Sequence, residues 1–374
     1  MGSKVLSVIV PSYNMEDYLP KCLGSLVVDD SNLLQKLEVI VVNDGSTDRT
    51  SEIAHGFETR FPDVFRVVDK GNGNYGSCIN AALPLVSGCY VKVLDADDYV
   101  DTIAFETLLR CLESEIETEP NSADLFVTDY ESVDPHGSVI DRSRYLMPTG
   151  PGRTLNDVKA ESPRFSIHSI VYKTALLTEM GYRQTEGVSY SDTEWITDPM
   201  VMVGRVTYVP IAVNKYLVGR AGQTMEDSTF AARFQQVIQI TEGLVKRFPA
   251  ASARCVPTSL AYYRARVEEM VHMVYRAWMF GLGGYRIRCN LRTLDCVIRE
   301  TPAIFDYIKS IRAPFRKYPL RYAYARFQPA TVSILVLFSF RLYLLLRKYW
   351  HRIKRHVHQT KPTDQTGFEG TADP

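Results

Sequence analysis

Two periodicities alternate along the first 130 residues. Val5–Val10, "VLSVIV", is a short β-branched run closed by Pro11, the pattern of a strand buried on both faces. Glu38–Val42, "EVIVV", repeats it and ends in "NDGSTD"; Phe65–Asp69 is a third strand. Cys89–Leu94, "CYVKVL", ends in "DADD", and "ADLFVTDY" gives a fifth strand. Between them the apolar positions fall at helical spacing over Met15–Leu26, Thr50–Phe61, Ser77–Val86 and Ile103–Glu115. Strands alternating with helices predict an α/β domain whose mostly parallel mixed sheet is flanked by helices. Right-handed crossovers gather the strands' C-terminal ends on one edge, where open α/β sheets bind ligands. Four polar loops therefore converge there: "PSYN" (11–14), "NDGSTD" (43–48), "GNGNYG" (71–76) and "DADD" (95–98).

Beyond Tyr130 the pattern weakens. "DPHGSV" (134–139) is a turn within a hairpin, and "PRFSIHSIVYKTALL" is a strand or helix near a second ligand-facing edge. "GVSYSDTEWITDPMVMV" begins as a loop and turns helical near Thr193; "RVTYVPIAVNKYLVG" is strand-like. From Phe230 the spacing is helical. The expected division is a catalytic α/β domain over 1–228, a helical region over 229–328, a basic apolar segment over 329–358 and a disordered tail over 359–374.

Charge sharpens this division. The 374 residues carry 43 basic and 43 acidic side chains, yet Tyr307–Thr363 holds 13 Lys and Arg and no acid, which leaves the rest at 30 against 43. An acidic body thus carries a basic segment suited to an anionic surface. Within it "TVSILVLFSFRLYLLL" (331–346) is sixteen residues long, short of the ~20 that a spanning helix needs. Its basic and aromatic flanks predict a helix lying in an anionic cytoplasmic membrane surface; packing on the body is the alternative. An apolar run has no use in nucleic-acid binding, so nucleic acid is not an expected partner. The seven cysteines lack C-x-x-C spacing and read as free thiols of a reducing compartment. The N-terminus shows no signal-peptide pattern, which predicts a cytoplasmic body peripherally attached to the plasma membrane.

"GNGNYG" poses a chemical question, because Gly71, Gly73 and Gly76 spell G-x-G-x-x-G, the dinucleotide fingerprint. The following strand, however, ends in Asp95, Asp97 and Asp98. One acid serves a ribose; three beside a diphosphate repel it unless a cation lies between. That pattern suits Mg²⁺ or Mn²⁺, which take carboxylate and phosphate oxygens together. The glycines are then expected to form a turn that lets a helix pack closely.

"SVIVPSYNMEDYLPKCLGSL", "EVIVVNDGSTDRT", "NGNYGSCINAAL" and "GCYVKVLDADDYV" resemble, in order and spacing, the N-terminal half of the family 2 glycosyltransferases with the GT-A fold. The resemblance spans Val5–Tyr99 and continues through "SYSDTEW" and "YLVGRAGQTM" to Met225. It implies an inverting transferase that uses a nucleotide-diphosphate sugar, as a UDP-sugar, and Mn²⁺ or Mg²⁺, acting on a saccharide or lipid-linked acceptor in cell-surface polysaccharide synthesis; the Q-x-x-R-W motif and several membrane spans of the related processive synthases are not found, so single addition is expected. Carried over by position, Pro11, Ser12 and Tyr13 line the nucleotide pocket, Asp44 contacts base or ribose, and Asn74 lies near the donor. Asp95 faces the ribose or an ordered water, Asp97 takes the metal, and Asp98 shares the metal or shapes the site. Asp192 in "SYSDTEW" falls where the family carries its general base, although Ser191 stands where an acid usually precedes it. Glu194 is the alternative carboxylate, and an N-cap role for Asp192 is compatible with either. Arg220 would face the departing diphosphate; His168 reads as a satisfied core histidine. The rival functions are a nucleotidyltransferase of similar fold, whose lysine-bearing glycine loop after the first strand is missing, and a non-catalytic nucleotide-sugar-binding protein.

Overall fold

The structure, a computed structural model, describes residues 4–118, 121–159, 161–220, 227–279 and 285–310. In chain order it holds β1 (Leu6–Ser12), α1 (Leu19–Ser25), α2 (Ser31–Gln35), β2 (Leu37–Asn43), α3 (Thr50–Arg60), β3 (Phe65–Asp69), α4 (Asn74–Ala82) and β4 (Tyr90–Val93). Then follow β5 (Tyr99–Val100), α5 (Thr102–Ile116), β6 (Leu125–Val133), β7 (Val139–Ser143), β8 (Gly150–Arg153), β9 (Ile170–Lys173), α6 (Thr174–Met180), α7 (Asp192–Trp195) and β10 (Val206–Leu217). Four helices close the described chain: α8 (Asp227–Arg254), α9 (Leu260–Met279), α10 (Tyr285–Arg299) and α11 (Pro302–Ser310).

One mixed sheet runs β3-β2-β1-β4-β9-β6-β10-β5, with β7 on β6 and β8 on β10. β1 through β4 pair in parallel, as do β6 and β10; β9, β5, β7 and β8 run antiparallel to their neighbours. Alternation along each buried strand sends its side chains to opposite layers. Val8, Val10, Val39 and Val41 pack with Leu19, Ala54, Phe105 and Leu109 of α1, α3 and α5. Ile9, Ile40 and Val42 instead join Ile79 of α4, Leu177 of α6 and Trp195. Both layers are apolar, which is why these strands carry no polar alternation. A third cluster, around Phe234, Phe248, Tyr263 and Leu294, joins α8, α9 and α10 and reaches Val188 and Val201 near α7.

The first helix begins later than its spacing predicts, at Leu19. The residues before it are drawn into the second loop: the Met15 and Glu16 amides donate to Thr50 and Asp48 at 2.7 and 3.1 Å. β10 tolerates Pro210 because its pairing with β6 slips between Val209 and Ala212, where no ladder bond is lost. The apolar segment 329–358 and the tail 359–374 lie outside the described residues. Among the described residues no helix is long and apolar enough to cross a membrane.

Candidate active site

The parallel strands deliver their loops to one edge, and cross-loop bonds fix them there. The Asp44 amide donates to the Ser12 carbonyl at 2.8 Å, and the Thr47 amide to Asn14 Oδ1 at 2.8 Å. Asn14 itself adopts a left-handed φ of 52°. Tyr13 stands out from this edge, 47% exposed. Asp44 is 2% exposed, and its Oδ1 accepts from Lys70 Nζ at 2.6 Å, the Gly73 amide at 2.9 Å and Ser77 Oγ at 3.4 Å. It is thus a clasp for the glycine loop as well as a wall of the cavity beside it. Lys70, the partner that makes this burial tolerable, drew no attention in the sequence. A lysine directly preceding a glycine turn that faces an acidic loop is the signal that could have found it.

The glycine loop starts α4 at Asn74, whose φ is 64°. Gly76 is required there: a Cβ would come within 2.1 Å of the Thr185 carbonyl oxygen. The close approach is therefore to the segment leading to Asp192, rather than to the sheet.

The three acids after β4 divide into two settings. Asp97 Oδ2 lies 2.5 Å from Arg220 Nε. Asp98 is 1% exposed; its Oδ1 accepts from the Leu217 amide at 2.9 Å, and its Oδ2 lies 3.1 Å from His168 Nδ1. Asp95 accepts from the Tyr75 hydroxyl at 2.9 Å. Donor atoms of Asp95, Asp98 and His168 all lie within 4.8 Å of one another. Burial, then the charge of Asp98, pushes the Asp95 carboxyl up to about 7, and burial also raises Asp98. Two carboxylates and an imidazole this close form a donor set that fits a divalent cation. Asp97 stands apart from this group, on the arginine, so Asp97 and Asp98 do not share one cluster.

His168 is more than a satisfied core residue. It stacks on Tyr216 with centroids 4.3 Å apart and lines the cavity. Burial opposes its charge, but Asp98 and Asp95 together raise its pKa. Its carbonyl accepts from Lys92 Nζ at 2.8 Å, a buried lysine that desolvation lowers to about 7. Lys92 was visible in "CYVKVL" as a charge inside a buried strand, which must find partners.

Asp192 opens α7 from within the first turn. The N-cap is Ser191, whose side chain makes no capping bond, so an N-cap role for Asp192 does not hold. Ser191 Oγ instead accepts from Gln184 Nε2 at 3.1 Å. Burial raises the Asp192 carboxyl, while the nearby His168 and Arg266 charges pull it down. Glu194 points the other way. It is 1% exposed, and it accepts from the Thr185 amide and hydroxyl and from Arg247 Nη2 at 2.7, 2.9 and 2.7 Å. That leaves Asp192 as the carboxylate of "SYSDTEW" that faces the cavity.

This cavity, of about 780 Å³, brings together Pro11, Ser12, Tyr13, Asp44, Asn74, Asp95, Asp97, Asp192 and Arg220, which are scattered over 210 residues of chain. Asp98 lies behind it, held by Leu217 and His168. Tyr130, Tyr216 and Arg233 also line it and were not anticipated.

Residues 7–142 match the family described as Glycosyl transferase family 2. An uncharacterized glycosyltransferase of Escherichia coli (strain K12), YibD, is 29% identical over 214 residues, which are 56% of this chain and 60% of that protein. The chondroitin synthase of Pasteurella multocida (strain Pm70) is 34% identical over 136 residues, 36% of this chain and 13% of that protein. The matches thus span less than two thirds of either relative. A crystal structure of S. aureus TarS 1-349 in complex with UDP-GlcNAc superposes with a TM-score of 0.63 at 19% identity, covering 87% of this chain and 88% of that one. The mixed sheet with its flanking helices is accordingly the GT-A fold. Residues 7–142 thus carry a glycosyl transferase family 2 domain.

Proposed function

We propose that the chain is an inverting, single-addition glycosyltransferase whose cavity takes a nucleotide-diphosphate sugar, as a UDP-sugar. The observation that carries this reading is the meeting of Asp95, Asp97 and Asp192 on one cavity wide enough for a nucleotide sugar. Pro11, Ser12, Tyr13, Asp44 and Asn74 would border the nucleotide, with Asp44 preset by Lys70. Asp95, Asp98 and His168 would hold Mn²⁺ or Mg²⁺, with Asp97 at the border of the site. Bound there, the ion would offset the charge that develops on the departing diphosphate. Arg220, which pairs with Asp97, would share that charge with a diphosphate, as bidentate phosphate-binding arginines do. Asp192 would accept the acceptor hydroxyl's proton through a carboxylate oxygen while that hydroxyl's oxygen attacks the anomeric carbon.

The basic segment 329–358 is proposed to rest on an anionic membrane surface at the cytoplasmic face, which would suit a lipid-linked acceptor in cell-surface polysaccharide synthesis. The test of the reaction is a screen of nucleotide sugars for release of nucleoside diphosphate, with Mn²⁺, with Mg²⁺ and with chelator. Turnover of one nucleotide sugar that chelator suppresses is the expected result. Binding without turnover of any would favour a non-catalytic binding protein.

A further inference from the structure

We infer that Arg247, on α8 and far outside the family match, is a positioning residue for Asp192; the inference rests on the glycosyltransferase reading above. α7 is a single turn of four residues, too short to hold itself in water. Its orientation must come from what it touches. Asp192 and Glu194 are two positions apart on that turn, so at ~100° per residue they point to roughly opposite sides. Fixing Glu194 inward therefore aims Asp192 outward, into the cavity.

Arg247 does the fixing. Its Nη2 donates to Glu194 Oε1 at 2.7 Å and to Asp198 Oδ2 at 2.8 Å. Both carboxylates are buried, one inside α7 and one just after it. Glu194 passes the constraint on, because it also holds the Thr185 amide and hydroxyl. The Thr185 carbonyl in turn abuts Gly76 of α4, and Asn80 of the same helix grips Gln184 through its amide and its carbonyl at 2.9 and 2.8 Å. One guanidinium thus sets both the base-bearing turn and, through Thr185, the helix that presents Asn74 and Tyr75 to the cavity. The surrounding sequence makes room for it. Gly243 lies one turn earlier on α8, and a Cβ there would stand 3.0 Å from Arg247 Nη1. Both bonds leave one nitrogen, Nη2, at the end of the longer side chain and in the plane of a rigid guanidinium; a lysine ammonium, on a shorter and freely rotating stem, holds the two carboxylates less rigidly.

The experiment compares wild type, Arg247→Lys and Arg247→Ala with Mn²⁺ and whichever nucleotide sugar the wild type turns over. It measures kcat, donor KM, UDP affinity by calorimetry, and rescue of Arg247→Ala by millimolar methylguanidinium. Misaimed catalytic groups cost rate more than binding, so Arg247→Lys should lose kcat on the order of 10-fold and Arg247→Ala on the order of 100-fold. UDP affinity should stay within about 2-fold, and methylguanidinium should restore part of the alanine variant's kcat. A folded Arg247→Lys with wild-type kcat overturns the inference, as does a loss of kcat matched by an equal loss of UDP affinity. If Arg247→Ala does not fold, Arg247→Lys decides alone. A wild type that turns over no nucleotide sugar overturns the glycosyltransferase reading and this inference with it.

Discussion

Asp192 is a carboxylate held where water is scarce, and burial raises its pKa above the ordinary aspartate value. The sign of two consequences follows. In the proposed role of general base it would work deprotonated, so activity would be lost as pH falls through the raised pKa. The acid limb of kcat/KM should therefore lie above about 3.9, the value of an unperturbed aspartate. For stability the folded state binds this proton more tightly than the unfolded state. The ionised group is thus a penalty at neutral pH that disappears at pH below the unfolded pKa. Asp192→Asn should accordingly lose kcat by about 10²–10⁴-fold while thermal stability at about pH 7.5 stays level or rises. Calorimetric UDP binding should be retained. A large loss of stability with intact turnover would remove Asp192 from the mechanism. Residue identity at "DADD" and "SYSDTEW" was readable, because acids capping a buried strand or opening a turn demand a partner. Which partner each acid takes was not: Arg220 lies 123 residues from Asp97 in sequence.

At the scale of elements, "GNGNYG" is the instructive case. Its regular expression fits a dinucleotide site, but its three glycines are not equivalent. A Cβ added at Gly71 would meet nothing within 4 Å, whereas one at Gly76 would meet the Thr185 carbonyl at 2.1 Å. Gly71→Ala should behave like wild type. Gly76→Ala should destabilise by about 1–3 kcal/mol and lower kcat, because α4 or the Thr185 loop must move. Thermal melts and steady-state rates of the two variants check this. The longer strands and helices up to residue 130 were legible because their periods are set by burial on two faces; the two-residue β5 was not. α2 and α6 were not, since five and seven residues carry too few turns to show a period. α7 was seen as the start of a helix but not as a single turn, a length fixed by Trp195, whose buried carbonyl accepts from Tyr172 at 3.0 Å.

Over the whole molecule, the acidic body and the basic Tyr307–Thr363 stretch are a property of the sequence alone. Removing residues from Ala330 onward should release the protein from vesicles containing anionic lipid, at about 1 kcal/mol per basic residue lost near the surface. Rates on a soluble acceptor should persist. Cosedimentation equal to that of the full chain would contradict a membrane role for the segment.

The order of strand and helix, the loops gathered on one edge and the acid cluster after β4 all came from the sequence, because local burial and charge repulsion are encoded in neighbouring residues. Tertiary structure decided the rest. It split Asp97 from Asp98, drew His168 into the cavity wall and Lys92 beneath it, buried Glu194 so that of the two carboxylates in "SYSDTEW" only Asp192 faces the cavity, and brought Arg247 from the helical region onto the turn that carries Asp192. Those choices rest on contacts between residues tens to more than a hundred positions apart, and such contacts exist only once the chain has closed on itself.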